Sequence, residues 1–275
     1  MPLLAQLEQF PLHTITAKGQ TFSYRQAGEN TKPALVLLHG IGSGSGSWLQ
    51  QLQALSNDFY IVAWDAPGYG QSTALSMPKP KALDYAEALK TWLDALQINQ
   101  AAVLGHSLGA LVAGAFAQTY PERVSQLILA NAAQGYGQAD AALRETKLRE
   151  RLEQIQRLGA AGLAAQRGKF LVSSAASPAQ VALVQWNMQR LNLAGYAQAS
   201  ELMAQGHLLD DLANLTMRVL VIAGAADTIT PPESVQQVAT VCRAVYHVLP
   251  TGHASYIEAP EQFNQQLSQF LKGQL

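Results

Sequence analysis

Gly105-His106-Ser107-Leu108-Gly109 is the stretch on which the reading of this chain turns. An apolar run, Ala101-Ala102-Val103-Leu104, precedes it, and a run rich in small residues, Leu108 to Tyr120, follows it. Strand, sharp turn and helix form the setting in which a G-x-S-x-G segment pushes a serine hydroxyl out at the carboxyl edge of a sheet. Such a turn strains the backbone at Ser107, and side chains at positions 105 and 109 would collide with it. The hydroxyl also comes to lie near the amino end of a helix, where the dipole favours a developing negative charge.

A serine hydroxyl is a poor nucleophile near neutral pH. It needs a base to take its proton, an acid to orient the base, and donors for an oxyanion. The acid candidate is Asp227. It follows the apolar run Arg218 to Gly224, in a loop of breaker residues that ends in Thr230-Pro231-Pro232. Alone, an aspartate there would read as a turn former or a helix cap. The base candidate is His253, on the loop after Ala244 to Leu249 and the breakers Pro250-Thr251-Gly252. Of the six histidines, His13 and His247 fall in strand-like runs and His207 in a helical segment. His106 lies inside the turn, and His39 follows a buried strand, where it should bond loop backbone. Of those outside the strand-like runs, only His253 keeps the order Ser, Asp, His. The oxyanion donors are expected to be the backbone amides of Leu108 and Ile41, with Gly42 as the alternative to Ile41.

With these residues in place the chain resembles the α/β-hydrolase superfamily. The resemblance runs nearly end to end, through His39-Gly40, Asp65-Ala66-Pro67-Gly68-Tyr69-Gly70-Gln71-Ser72, Ser107, Asp227 and His253. It implies an α/β fold, a mostly parallel twisted sheet covered by helices, with an inserted all-helical cap. Relatives with an aspartate nucleophile, the haloalkane dehalogenases and epoxide hydrolases, are set aside because position 107 is serine. Carbon–carbon hydrolases of the meta-cleavage type usually carry tryptophan after the histidine, whereas this chain has Ala254. The fold alone does not choose a substrate.

Leu12 to Ala17 and Thr21 to Gln26 alternate about Lys18-Gly19-Gln20 and read as a hairpin. Strands are then expected at Ala34–Leu38, Phe59–Trp64, Ala101–Leu104, Val124–Ala130, Val219–Ala223 and Ala244–Leu249. One intervening helix is expected from Asp84 to Leu96, with Asp84 and Glu87 as a capping box. Continuous apolar strands alternating with helices imply a parallel sheet buried on both faces. The alternation stops after Asn131. Helical segments are expected at 140–158, 162–171, 178–191 and 195–204, the first with a solvated, salt-bridged face. The division is therefore residues 1–135 and 215–275 for the sheet-bearing core and 136–214 for a helical cap.

The 275 residues suit one large domain with such an insertion, and 48% of them are apolar. A net charge of −1 and the absence of basic runs give no support to nucleic-acid or anionic-membrane partners. The single cysteine, Cys242, reads as packing. No cluster has metal-ligand spacing and no cofactor is expected. The amino-terminal run from Met1 to Glu8 lacks the pattern of a signal peptide, and no run is long enough to span a bilayer. The expectation is a cytoplasmic enzyme. The sequence leaves oligomeric state open.

The leading reading is a serine hydrolase that cleaves an ester, thioester or lactone of a small, largely apolar substrate. Trp48, Phe170, Trp186, Met188 and Ile229 are the expected pocket residues, and the pocket is expected to offer no cation. Arg167 and Arg190 are the cations to consider if acidic acyl groups prove to be preferred. Asp94 and Glu258 read as surface or capping groups. Carbon–carbon cleavage and a hydrolase-like binding protein with little turnover are the alternatives. A dinucleotide site at Gly40-Ile41-Gly42, with Asp65 after the next strand, is weakened by Ser45, where a third Gly or Ala is needed.

Overall fold

Strand β3 (Ala34–Leu38) shows what organises the molecule. Its residues Leu35, Val36, Leu37 and Leu38 are all fully buried. Leu35 and Leu37 belong to one apolar cluster and Val36 and Leu38 to another, as the two-residue period of a strand requires. Each such side chain contributes about 1.5–3 kcal/mol on burial, against a strand-propensity range of about 1 kcal/mol. Burial on two faces therefore decides the strand.

The computed structural model describes residues 3–275; Met1 and Pro2, the start of the amino-terminal run, lie outside the described residues. The other strands are β1 (His13–Ala17), β2 (Gln20–Ala27), β4 (Tyr60–Trp64), β5 (Ala101–His106), β6 (Val124–Ala130), β7 (Arg218–Gly224) and β8 (Val245–Leu249). They form one eight-stranded sheet in the order β1-β2-β4-β3-β5-β6-β7-β8. The first two strands are antiparallel additions, and β3 to β8 run parallel. The chain winds outward from β3 to β4, then returns to add β5 on the other side of β3. Loops leaving such a switch point diverge and open a crevice at the carboxyl edge.

The helices are α1 (Leu3–Gln6), α2 (Leu49–Leu55), α3 (Ala82–Ala95), α4 (Leu108–Thr119), α5 (Ala141–Arg167), α6 (Pro178–Met188), α7 (Leu193–Gln205), α8 (Leu208–Leu212), α9 (Pro232–Val241), α10 (Ser255–Glu258) and α11 (Pro260–Leu271). The buried residues of α3 and α4 join the cluster on one sheet face; those of α2 and α11 join the cluster on the other. The capping of α3 differs from expectation. Asp84 accepts from the Lys81 backbone N–H at 2.7 Å, three residues upstream, and Glu87 takes no part. Asp94 forms ion pairs with Lys90 and Arg123 at the surface.

Helices α5 to α8 fill the chain between β6 and β7. Asp140 caps α5 by accepting from Leu143 N–H, and Ser177 and Gln180 form a capping box on α6. Gly159, at φ 63° and ψ 176°, breaks α5 into two legs. That backbone conformation is open to glycine and costly for other residues. Arg167 on the second leg donates to Gln154 on the first at 3.1 Å, so the legs lie side by side. Gln198 of α7 ties this region to the loop after β4, donating to the Leu75 and Met77 carbonyls.

Candidate active site

The elbow is built by close approach. A Cβ at Gly105 would overlap the Gly109 carbonyl, and one at Gly109 would overlap the Leu38 carbonyl of β3. Ser107 sits at φ 54° and ψ −115°, outside the regions that side-chain-bearing residues ordinarily adopt. Its N–H donates to Ala130 of β6, and its carbonyl accepts from Ala110 and Ala133, so the strained residue is fixed from several sides. Leu108 opens α4, where first-turn N–H groups have no intrahelical partner.

The loops after β7 and β8 meet beside it. His253 donates through Nδ1 to Asp227 Oδ2 at 2.8 Å, with both residues buried. Asp227 Oδ2 also accepts from Thr230 Oγ1 at 2.6 Å and Asn131 Nδ2 at 2.9 Å, and Oδ1 accepts from the N–H groups of Ile229 and Thr230. Burial would raise the Asp227 pKa, but His253, Thr230 and Asn131 outweigh it and hold the carboxyl well below the usual range. With Nδ1 committed, Nε2 is the His253 nitrogen left for chemistry.

Two of these partners were not anticipated. Asn131 directly follows β6 at φ 45°, fully buried; its amide also reaches the Gly252 carbonyl, and its Oδ1 accepts from Ser255. Together Asn131 and Thr230 lock the Asp227 loop to the His253 loop. The signal available in the sequence was position: an amide at the carboxyl end of a central strand. Glu258 is also more than a surface group. Its carboxylate accepts from Gly252 N–H at 2.8 Å, and from Ser173 N–H and Oγ before α6. It thereby fastens the His253 loop to the helical region.

His106 does structural work behind Ser107. Its Nε2 donates to the His253 carbonyl at 2.8 Å, and its ring packs on those of His253 and Tyr256. Burial, with His253 beside it, pushes its pKa down to about 3, so it is neutral at ordinary pH.

The loop after β3 is held from below. His39 bonds the loop backbone as expected: Nδ1 donates to the Gly40 carbonyl at 2.8 Å and Nε2 accepts from Ala66 N–H. Ser43 N–H also reaches the Gly40 carbonyl. Because a trans peptide points C=O and N–H oppositely, the Ile41 N–H faces away from the His39 ring. Tyr69 donates to the Ile41 carbonyl at 2.9 Å, which sets the Gly42 amide in the same way. Asp65 Oδ1 accepts from Ser45 N–H and Oδ2 from Ser23 Oγ, both at 2.7 Å. The Asp65 carboxylate is thus committed within the fold, which removes the group a dinucleotide ribose would need.

A cavity of about 1220 Å³ has Ser107, His253, Ile41 and Gly42 in its wall. Phe170, Met188 and Ile229 line it. Trp48 and Trp186 do not. Trp48 is fully buried and stacked on Tyr256 at 4.1 Å, a foundation for the site instead of a wall. Trp186 lies against Gly46 and is covered by Arg190, whose guanidinium sits 3.6 Å from the ring centroid. The expectation of a cation-free pocket is also corrected. Lys147, Arg151, Arg157 and Arg167 line the cavity, because the turn at Gly159 brings part of the supposedly solvated face of α5 against it.

The model of the alpha/beta hydrolase fold family matches residues 33–260. The chain belongs to the α/β-hydrolase fold family. Two curated relatives from Acinetobacter baylyi are 3-oxoadipate enol-lactonases. One is 29% identical over 265 residues, covering 94% of this chain and 96% of the relative. The other is 31% identical over 262 residues, covering 93% and 95%. A crystal structure of a hydrolase from Pseudomonas aeruginosa PA01 superposes with a TM-score of 0.82 at 29% identity, covering 94% of this chain and 98% of that one. This α/β-hydrolase is an enzyme of the hydrolase class. Among the described residues, no helix is long and apolar enough to cross a membrane.

Proposed function

We propose that this α/β-hydrolase is a serine hydrolase that opens an ester or lactone through an acyl-enzyme on Ser107. The observation that carries the reading is the buried His253–Asp227 hydrogen bond, with His253 and the strained Ser107 in the wall of one cavity. His253 Nε2 takes the Ser107 proton as Oγ attacks the carbonyl, then returns it to the leaving oxygen. Asp227 holds the imidazole in the tautomer that leaves Nε2 free and stabilises the imidazolium as it forms. The amides of Leu108 and Ile41 receive the oxyanion, with Gly42 adjacent. Water, activated by the same histidine, releases the acid. The helical region 136–214 acts as a cap that closes the crevice. The enol-lactonase relatives favour a lactone or ester carbonyl as the reacting group.

A fluorophosphonate probe tests this directly. Wild-type protein should be labelled once, at Ser107, with loss of esterase activity, and Ser107→Ala should be neither labelled nor active. Undiminished labelling or activity in Ser107→Ala would overturn the assignment.

A further inference from the structure

The fold of α5 places positive charge where the chemistry proposed above does not need it. Its first leg carries Arg151 and Arg157, its second Arg167, and all three line the cavity that holds Ser107 and His253. The other charges on this wall are matched. Lys147 pairs with Glu150 at 3.0 Å, and Glu153 with Arg149 at 3.8 Å. Among the described residues, Arg151, Arg157 and Arg167 form no ion pair with a carboxylate. Arg167 instead bonds the neutral Gln154, and Arg151 lies half-buried over the Tyr136 ring at 5.5 Å. Arg151 and Arg167 share the cavity wall with Tyr196, and their charge opposes the rise that burial gives the Tyr196 hydroxyl pKa.

Unmatched guanidiniums in a partly enclosed space attract an anion, because low-dielectric walls focus their field and the planar donors suit a carboxylate. At about 1220 Å³ the cavity exceeds the roughly 300–1,000 Å³ of most small-molecule sites, leaving room for a second group beyond the scissile carbonyl. We infer that the substrate carries a carboxylate remote from the reacting carbonyl, and that Arg151 and Arg167 receive it. This inference rests on the serine-hydrolase reading. It reverses the apolar selectivity expected from sequence, and it excludes Arg190, which is stacked on Trp186 away from the cavity wall.

The test compares substrates matched in leaving group and length. Monophenyl glutarate is set against phenyl valerate, which places the carboxylate on the acyl side. 4-Acetoxyphenylacetate is set against its methyl ester, which places it on the alcohol side. In one pair the acid should be preferred by about tenfold in kcat/KM, the scale of a charge-assisted contact over a neutral one. The preference should shrink in 1 M salt. It should fall to within about twofold in Arg151→Gln/Arg167→Gln and persist in Arg190→Gln. No preference for either acid, or a preference that survives the double substitution, would overturn the inference. Loss of all Ser107-dependent hydrolysis would instead count against the serine-hydrolase reading. A binding measurement separates the two: glutarate should raise the melting temperature of Ser107→Ala, and should fail to do so when Arg151 and Arg167 are also replaced. Equal shifts with and without the arginines would overturn the inference whatever the catalytic result.

Discussion

The carboxyl edge of the sheet and the helical wall above it are built on different terms. At the sheet edge His253, Asp227, Asn131 and Thr230 are buried and share their hydrogen bonds: Asp227 alone accepts from His253, Thr230, Asn131 and two backbone amides. On the wall, Arg157 and Arg167 are exposed, Arg151 is half-buried, and the α5 ion pairs connect partly or largely exposed side chains. Buried networks of this kind resist displacement, because any lost partner leaves a desolvated polar group. Exposed pairs are worth about 0–1 kcal/mol and change cheaply. The difference fits the proposed function, in which the sheet edge carries the reaction and the wall adjusts which substrate is taken.

Substitutions should separate the two regions by the pattern of loss. The largest effect is expected at Ser107, where Ala should lower kcat roughly 10⁴-fold or more for every ester. A variant that spared one substrate class would break the division. Asp227→Asn should come next, at about 10³-fold, again across all substrates and with the fold intact by circular dichroism, because the imidazole loses its enforced tautomer. If near-full activity remained, another acid would have to be sought.

Asn131 should rank third. Asn131→Ala should cost about tenfold in kcat with little change in KM, and about 1–3 kcal/mol of stability from buried groups left unpaired. A pure KM effect would move Asn131 from the sheet-edge group to the substrate-binding group. On the wall, Met188→Ala should change the dependence of kcat/KM on acyl length by a few-fold, since each buried methylene is worth about 0.8 kcal/mol, while leaving short acetates nearly untouched. A uniform loss would show Met188 to be structural.

The smallest effect is one of pH. His106 is neutral in the folded protein down to about pH 3, whereas an unfolded histidine takes up a proton near 6.5. Stability therefore falls as pH drops from about 6.5 toward 3, since the unfolded chain gains protons that the folded chain refuses. Asp227 is depressed too, but as an acid: its contribution persists down to the ordinary carboxylate range of about 4 and is lost only below it. Between pH 6.5 and 4.5 His39, lowered by its own burial, adds to this slope, and the Asp211 carboxyl, pushed up to about 6 by burial and by Asp210, opposes it, so the His106 share is read from the difference between variant and wild type. His106→Gln should flatten that slope by up to one proton, about 1.4 kcal/mol per pH unit. An unchanged slope would remove His106 from the account.

The sequence by itself determined the strands, their parallel character and the loops that bear Ser107, Asp227 and His253, because these rest on short-range signals. Runs such as Leu35 to Leu38 and Val219 to Ala223 are apolar at every position, and breakers mark where each ends. The turn at Ser107 needs small neighbours at fixed spacing, and these are visible as letters. Only the tertiary structure decided what surrounds those loops. Asn131 and Asp227 are 96 residues apart, and the contact at 2.9 Å exists because β6 and β7 pair in register. Trp48 looked like a pocket residue because it follows a site loop, yet the approach of Tyr256 turned it into core. The charged face of α5 reads as solvated over any single stretch. It became a cavity wall because one backbone turn at Gly159 folds two legs together over the sheet edge, and no local pattern records which side of a helix a distant crevice will occupy.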